Sequence, residues 1–535
     1  MSQDQIPSEQ LCIMILARAA LFISALLLRA THAFVFTNPN LHATWDSPYS
    51  IVANNGVAIH PGNSRAFMTT RAGLLLEVPL RQGNGDVTRV YNPPVEDGLA
   101  KNCESRPVLS GLDKAIYAVQ DGSQRSRVII VHTDTVPAPG EEGEVEVQIM
   151  TVAGQVQGSP IVSNGHIFVV HNVPNGNQNR GKLSIFNIET QALLATVPGD
   201  DDDIEDLAEP ASTSVTLPDG RQVEWVVLAQ NINGGSSNQG SLYAVRFDPL
   251  SGETVWHTLA RDIGSSENAP AVSADGRTIA VGGFRNTVDA WVDENKLQDA
   301  IESDTPLNLN LKSSWSVEIS RSDFPVIAQP AIFRDQFVIV PDASQNMVAL
   351  NLQDRGREAW PVNTFGPVES PALIYDDGIS DPVMYLMEQS GIVRQVDPTD
   401  GTINYQANCQ GVIPDTEADP LQVTTDNCAL VRARFALSPN GDYVVFASVD
   451  GSVDAYQVAD FGTEPPTDSP TVSPTTSAPS SKPSETPSVT PTTSAPTDIP
   501  SSEPSMNPAY SSAPSPLGGF TSNNGDVSLR EPNHR

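Results

Sequence analysis

The feature that most constrains the fold is a repeated segment of roughly 50 residues. A short apolar strand with Pro near its start recurs at Pro107, Pro160, Pro210, Pro270, Pro330 and Pro371. Two further copies, without this Pro, begin at Gly56 and Arg434. Each copy continues through a turn, a second apolar strand, a polar loop and a third strand. Eight copies of one unit between residues 50 and 460 indicate a repeat protein.

The apolar segments within each copy predict short strands. HIFVVH, TIAVGG, QFVIVP and DYVVFAS are rich in Val, Ile and Phe and are bounded by Gly, Asn and Asp turns. A unit of four such strands cannot bury both faces alone, so neighbouring sheets pack around an axis, and closing the ring protects their edges. The sequence therefore predicts an all-β, eight-bladed β-propeller of four-stranded blades over residues 50–460, after a lead-in at 34–49.

Two blade ends share a Gly–Trp pattern. They read AVRFDPLSGETVWH (Ala244–His257) and ALNLQDRGREAW (Ala349–Trp360). Both resemble the A-x-D-x-x-T-G-x-x-x-W repeat of the quinoprotein alcohol dehydrogenase-like (pyrroloquinoline quinone repeat) propellers. The resemblance implies that Gly permits the turn, as at Gly401, and that Trp256 and Trp360 pack between blades. WD40 is the competing propeller class, but its Gly-His and Trp-Asp pair does not recur in register.

Catalytic quinoproteins use the quinone, a bound Ca²⁺ and an Asp base, often beside a disulfide between adjacent cysteines. This chain has no Cys-Cys pair, and none of its aspartates lies in a segment that matches the catalytic motif. Its eight histidines are scattered without metal-ligand spacing. We therefore interpret the chain as a noncatalytic member, a binding scaffold without catalytic residues or an expected cofactor. The alternatives are a quinone-dependent oxidoreductase with Ca²⁺ and an envelope assembly factor.

One rim of the propeller is the candidate binding site. Long loops are predicted at Gln120–Arg127, Asn172–Lys182 and Gln230–Ser241, beside the acidic run Gly199–Asp206. Amide-rich loops next to acids suit Ca²⁺ or the hydroxyls of a sugar. The candidate Ca²⁺ ligands are Asp200, Asp201, Asp202 and Asp203. The candidate rim residues for a protein or glycan are Asn175, Asn177, Gln178, Asn179, Asn231, Asn233, Asn238 and Gln239.

The N-terminus is typical of an export signal. Leu11–Leu28 is apolar and is followed by ATHA, so residues 1–33 are predicted to be a signal peptide cleaved after Ala33. A single-pass anchor is the main alternative, although Arg18 interrupts the apolar run. Phe34 directly after the cleavage position also resembles a bipartite plastid leader. A membrane association is expected only if the leader is uncleaved.

The C-terminal composition changes after Asp460. Residues 461–535 are rich in Ser, Thr and Pro, and VSPTTSAP recurs as VTPTTSAP. A segment with so few apolar side chains cannot offset its ordering entropy, so it is predicted to be a disordered tail. With the leader, this tail indicates a secreted or cell-wall protein.

The net charge and the positions of the cysteines restrict which partners the chain can bind. The formal net charge is −34, which disfavours nucleic acid because an acidic surface repels phosphates. In an oxidising compartment Cys409 and Cys428 are the obvious disulfide pair. Cys103 is then left free or bound to another chain.

Overall fold

The computed structural model describes the propeller from residue 41 to residue 457 with gaps. The described residues are 41–46, 56–62, 65–80, 85–86, 88–93, 101–122, 124–135, 144–156, 158–175, 178–199, 204, 206–231, 240–264, 266, 268–283, 286–319, 326, 328–342, 346–364, 366–376, 378, 381–408, 411–412, 435–438, 443–447 and 453–457. The predicted leader, the whole of the predicted tail, Cys409 and Cys428 therefore lie outside the described residues.

The described residues form eight sheets of four or five strands, which confirms the predicted eight-bladed propeller. Blade 1 contains β2 (Val57–Ile59), β3 (Arg65–Thr69), β4 (Leu75–Pro79) and β6 (Thr88–Tyr91). Blade 2 contains β8 (Val108–Ser110), β9 (Lys114–Asp121), β10 (Arg125–His132) and β11 (Val147–Ala153), with β7 (Lys101–Asn102) beside β9. Blade 3 contains β13 (Ile161–Ser163), β14 (His166–Asn175), β15 (Gln178–Asn187) and β16 (Leu193–Val197), with β12 (Gln155–Val156) beside β14.

The next four blades repeat this antiparallel order. Blade 4 contains β17 (Ala211–Thr216), β18 (Gln222–Ala229), β19 (Gly240–Phe247) and β20 (Thr254–Ile263). Blade 5 contains β21 (Ala271–Val272), β22 (Ile279–Gly282), β23 (Thr287–Trp291) and β24 (Trp315–Glu318). Blade 6 contains β25 (Ala331–Phe333), β26 (Phe337–Asp342), β27 (Asn346–Asn351) and β28 (Glu358–Asn363). Blade 7 contains β29 (Leu373–Tyr375), β30 (Val383–Met387), β31 (Val393–Val396), β32 (Ile403–Asn408) and β33 (Gly411–Val412).

Blade 8 joins the two ends of the ring. Its strands β34 (Ala436–Leu437), β35 (Tyr443–Ala447) and β36 (Val453–Gln457) are completed by β1 (Leu41–Asp46), which pairs antiparallel with β36. The strand β5 (Gly85–Asp86) then pairs parallel with β1. The segment assigned from sequence to a lead-in thus contributes the outer strand that closes the propeller.

The recurring Pro residues stand immediately before first strands. In blades 2 to 6 the first strand begins at the residue that follows the Pro, as at Pro160 and Ile161. Proline lacks an N–H donor and has a fixed φ, so it suits the first position of a strand. First strands of neighbouring blades contact one another around the axis, for example β13 with β17 and β2 with β34.

The hydrophobic core lies between blades rather than within them. One cluster joins blades 4 and 5 through Trp225, Trp291 and their neighbours, and another joins blades 6 and 7 through Trp360 and Met384. These side chains are at most 6% exposed. Each sheet is covered on both faces, and this explains the solid apolar runs in the sequence.

A short helix, α1 (Asn295–Glu302), lies between the third and fourth strands of blade 5. Leu297, Ala300 and Ile301 are buried on one side of it and pack onto blade 4. Because eight residues form a marginal helix and Glu294 provides no side-chain cap, packing is what stabilises it. The sequence analysis did not predict this helix.

Two of the three predicted long loops are strand instead. β9 and β10 leave only residues 122–124 between them, and β14 and β15 remain paired as far as Asn175 and Gln178. The prediction was wrong because polar residues next to Gly also continue a twisted hairpin when their backbone groups pair. The third loop lies largely outside the described residues.

Candidate functional site

The connections of a four-stranded meander emerge on two rims. The first-to-second and third-to-fourth strand connections share one rim, which we call the acidic rim. The second-to-third strand connections and the connections between blades share the other, which we call the amide rim because the sequence-predicted Asn and Gln residues belong to it. The two rims differ in charge and in how their side chains are held.

The amide rim brings together some of the predicted residues. Asn179 donates a hydrogen bond from Nδ2 to Oδ2 of Asp206 at 3.1 Å, and the backbone N–H of Asn231 donates to the Asp206 carbonyl at 2.7 Å. The side-chain oxygen of Asn175 accepts from Nε of Arg180 at 2.8 Å. Asn179 and Asn231 are thus tied to the connection between blades 3 and 4, and Asn175 is tied to its own hairpin.

Of the remaining predicted residues, the structure describes only Gln178. Gln178 pairs with Asn175 at the tip of the hairpin. The other predicted rim residues and Ca²⁺ ligands lie outside the described residues, namely Asn177, Asn233, Asn238, Gln239, Asp200, Asp201, Asp202 and Asp203. The Ca²⁺ site stays a prediction.

A pocket of about 390 Å³ opens on the flank between blades 2 and 3. His171 lies at its base, where Nδ1 donates to the Ala153 carbonyl at 2.7 Å and Nε2 accepts from Oγ of Ser184 at 2.9 Å. Burial lowers the pKa of His171 to about 4. A carbonyl rather than a carboxylate orients the imidazole, so this Ser–His pair lacks the partner that stabilises an imidazolium during acyl transfer.

The axial wall is formed by the eight first strands. Their described residues are apolar or carry hydroxyl groups, as in Val108–Ser110, Ile161–Ser163 and Leu373–Tyr375, and none of them is Asp or Glu. A quinone site with bound Ca²⁺ requires carboxylate and amide oxygens that converge on the ion. The described first strands provide no carboxylate.

Among the described residues of the strand connections, the acidic rim contains most of the charge. Outside the named strands, its described connections contain twenty acidic and seven basic residues, whereas those of the amide rim contain five acidic and two basic residues. The acids of the acidic rim are Asp113, Asp134, Glu144, Glu146, Glu189, Asp219, Asp248, Glu253, Asp275, Asp293, Glu294, Asp299, Glu302, Asp304, Asp335, Asp354, Asp376, Asp381, Asp397 and Asp400. Among the described residues, like charges are therefore concentrated on one end of the ring.

Local contacts show how far this charge is neutralised. Arg334 binds both carboxylate oxygens of Asp376, at 2.6 and 2.8 Å, and Arg277 pairs with Asp293. Asp335 is exposed, yet its pKa is raised, first by partial desolvation and then by repulsion from Asp275 and Asp293. Arg277 and Arg334 are held by neighbouring carboxylates, and an excess of negative charge remains around Asp335.

Two predicted blade-docking residues face opposite neighbours. Trp360 pairs with Ala349 and packs toward blade 7, where the Cβ position of Gly401 would lie 2.7 Å from its ring. Trp256 pairs with Val245, packs toward blade 3 and lies 5.1 Å from the Tyr243 ring beside a groove of about 500 Å³. The pairing of β27 with β28 shifts by one residue between Ala349 and Leu350, and no such shift lies between the turn and Trp256 in blade 4. A shift of one residue moves a side chain to the other face.

Cys103 is fully buried as a free thiol. Its Sγ–H contacts the carbonyl oxygen of Ala118 at 3.3 Å, and burial raises the pKa of the thiol to about 11. A disulfide to another chain would require this blade to open. Among the described residues, no helix is long and apolar enough to cross a membrane.

No family model and no curated protein matches the chain. Solved structures do. The chain is similar to Sqt1 of Saccharomyces cerevisiae, with a TM-score of 0.53 and 10% identity over 79% of this chain and 100% of that one. It is also similar to Chaetomium thermophilum Sqt1 bound to the N-terminus of ribosomal protein L10, with a TM-score of 0.50 and 13% identity over 78% and 99%. The propeller of Dos1 matches with a TM-score of 0.51 and 11% identity over 78% and 94%.

These structural neighbours are WD40 propellers. The resemblance to quinoprotein alcohol dehydrogenase-like propellers is therefore wrong. It depended on two Gly–Trp turns whose tryptophans face opposite blades. At 10 to 13% identity the likeness to the solved structures shows the fold alone.

Proposed function

We propose that this protein is a non-enzymatic propeller scaffold that binds a basic segment of a partner protein on its acidic rim. The observation that carries the proposal is the charge difference between the described connections of the two rims. Oriented like charges on one face attract oppositely charged segments over several ångströms and set the orientation of docking.

Other observations support a binding role over catalysis. The described first strands contain no carboxylate around the axis, and the Ser184–His171 pair lacks an acidic partner. A propeller with the same fold, Sqt1, has been solved with the N-terminus of ribosomal protein L10. That structure supports the idea that such a ring can hold a segment of another protein.

The location and the tether belong to the same proposal. The predicted leader at residues 1–33 would export the chain, and the Ser/Thr/Pro-rich residues 461–535 would act as a spacer to the cell wall. An acidic scaffold in that setting meets basic proteins through long-range attraction. A glycan ligand on the amide rim is the alternative that the binding experiment separates.

The test compares two matched double variants of the full chain. Asp299→Asn with Asp335→Asn removes two exposed charges from the acidic rim, and Glu104→Gln with Glu369→Gln removes two half-buried charges from the amide rim. The probes are a library of Lys/Arg-rich 15-residue peptides and a charge-matched acidic library, measured by fluorescence anisotropy. Since an exposed ion pair contributes about 0.2–1 kcal/mol, we expect roughly fivefold weaker binding of basic peptides in the first variant.

The control variant should bind as the unmodified protein does, and added salt should weaken binding by screening. Equal losses in both variants would contradict docking on the acidic rim. Binding of neutral oligosaccharides with no affinity for basic peptides would favour the glycan alternative.

A further inference from the structure

A mixed set of metal-ligating side chains lies on the acidic rim of blade 2. Asp113 is in the first turn of the blade, His132 is the last residue of β10, and Asp134 follows two residues later. One ligand atom from each side chain lies within 4.8 Å of the other two. Asp113 and His132 are half-buried and Asp134 is exposed, so a cation can reach the set from solvent.

The backbone around these residues is tied down on both sides. The N–H of Thr133 donates to the Asp113 carbonyl at 2.6 Å, which joins the two turns. Arg65 Nη1 donates to the Thr133 carbonyl at 2.9 Å. Hydroxyl Oγ1 of Thr135 donates to the His132 carbonyl at 2.8 Å. The ligand-bearing residues therefore stand on a fixed frame.

His132 provides a second observation that points to a ligand. Its Nε2 is buried and has no hydrogen-bond partner among the described residues. The nearest carboxylate, Oε1 of Glu146, is 3.8 Å away, beyond hydrogen-bonding distance. A buried imidazole nitrogen without a partner is costly, and coordination of a metal would satisfy it. Glu146 also stands close enough to offer a further oxygen.

Lys114 is a cation that would compete with a metal ion for the carboxylates of this set. Nζ of Lys114 binds Oε1 of Glu189 at 2.8 Å and remains 3.9 Å from Oδ2 of Asp113. The pKa of Lys114 is raised, first by the Glu189 hydrogen bond and further by the charges of Asp113 and Asp134. Three carboxylates thus surround one ammonium, which leaves negative charge for a divalent ion.

We propose that Asp113, His132 and Asp134 bind a Zn²⁺-class transition-metal ion. Imidazole selects Zn²⁺ and its neighbours over Ca²⁺ and Mg²⁺, and three protein ligands with one open position is a common zinc arrangement. Ligand atoms around tetrahedral Zn²⁺ are about 3.3 Å apart, so the carboxylates must move inward by about 1–1.5 Å. Rotation of the two aspartate side chains, which stand in turns, supplies that movement.

The experiment titrates Zn²⁺ alone into the metal-stripped full chain by calorimetry. We expect one high-affinity ion per chain, bound at least tenfold more weakly by Asp134→Asn and by His132→Gln. Asp354→Asn is the matched control, because Asp354 is an exposed acid of the same rim on blade 6 and should leave Zn²⁺ binding unchanged. Circular dichroism and melting without metal establish that each variant is folded.

Cobalt substitution gives an independent measurement. Bound Co²⁺ should show the intense visible bands of a tetrahedral site, and these bands should vanish in His132→Gln. Absence of Zn²⁺ binding, or equal binding by all three variants, would overturn the proposal. Binding of basic peptides to Asp134→Asn is also measured in the presence of a chelator. Loss of the metal site and loss of the proposed partner binding are then observed separately.

Discussion

The junction between blades 2 and 3 and the junction between blades 4 and 5 each bury a histidine, but the chain covers them differently. Between blades 4 and 5, residues 292–314 fold over the outer edge of β20. There the N–H of Leu309 donates to the Thr258 carbonyl at 2.9 Å, and His257 Nδ1 accepts from the N–H of Leu307 at 3.2 Å. Between blades 2 and 3 a pocket of about 390 Å³ remains.

The difference teaches how a propeller protects its outer strands. An outer strand presents unpaired backbone groups, which invite pairing with other chains. Blade 4 receives a parallel segment from the third-to-fourth connection of blade 5, and blade 8 receives β5 from the same connection of blade 1. Among the described residues, β11 and β16 pair only with strands of their own blade. Whether an outer strand is covered therefore depends on the third-to-fourth connection of the following blade. Where that connection is short, a groove remains beside the outer strand.

The largest expected effect on stability comes from weakening the packing of α1, which covers the junction between blades 4 and 5. Ile301→Ala removes a fully buried side chain of α1 from the sealed junction and should lower the free energy of unfolding by about 2–5 kcal/mol. Leu193→Ala at the open pocket, where the side chain is 55% exposed, should change it by less than about 0.5 kcal/mol. Urea unfolding monitored by tryptophan fluorescence measures both. Similar losses would mean that the two junctions are equally sealed.

A smaller effect concerns pH. Burial lowers the pKa of His171 to about 4, and burial with the nearby Arg246 guanidinium lowers that of His257 to about 4, from 6.5 in both cases. Because the unfolded chain binds these protons first, their stabilising contribution is complete above pH 6.5. It is lost as the pH falls from 6.5 to about 4, by up to about 1.4 kcal/mol per pH unit and histidine.

This predicts that His257→Gln and His171→Gln each shrink the stability difference between pH 7.5 and pH 5 by about 2 kcal/mol. Urea titrations at the two pH values measure it. A clearly smaller effect for His171 would show that the pocket hydrates its imidazolium, which would sharpen the contrast between the junctions. No effect for either histidine would contradict their burial as the cause.

The smallest effect separates conformation from packing. Gly165 and Gly276 occupy equivalent turns with φ of +74° and +75°. An added Cβ at Gly165 meets no atom within 4 Å, whereas at Gly276 it would lie 2.9 Å from Cδ1 of Ile301 and 3.1 Å from Trp225. Gly165→Ala should cost about 1–2 kcal/mol for the left-handed backbone, and Gly276→Ala about 1 kcal/mol more. Equal shifts in Tm for the two variants would show that α1 moves away from the added methyl group at no cost in stability.

The repeat unit could be read from the sequence because its signal is local. Pro160 and Pro270 each precede an apolar strand by one residue, and that signal recurs often enough to count the blades. The closing strand could not be read in the same way. LHATWD pairs with residues more than 400 positions later, and nothing within six residues indicates such a partner.

The sites were harder to predict than the fold. Metal ligands are recognised in a sequence by fixed spacings within one segment. Asp113 and His132 are instead close because the two connections of blade 2 that contain or adjoin them lie on the same rim. The helix had a local signal, the spacing of Leu297, Ala300 and Ile301, which was too short to stand out. A register shift of one residue, which blade 6 has before Trp360 and blade 4 lacks before Trp256, placed Trp256 on the unexpected face.

The pairing of β1 with β36 has a consequence for how this protein is made. Leu41 meets Tyr456, so the ring stays open during synthesis until nearly all of the propeller has left the ribosome. Closing a loop of that length costs about 5 kcal/mol of chain entropy, which the blades reduce by forming first and holding the ends near each other. Until then, the exposed flank of blade 8 is a template for other chains, and a chaperone that shields it would raise the yield of folded protein.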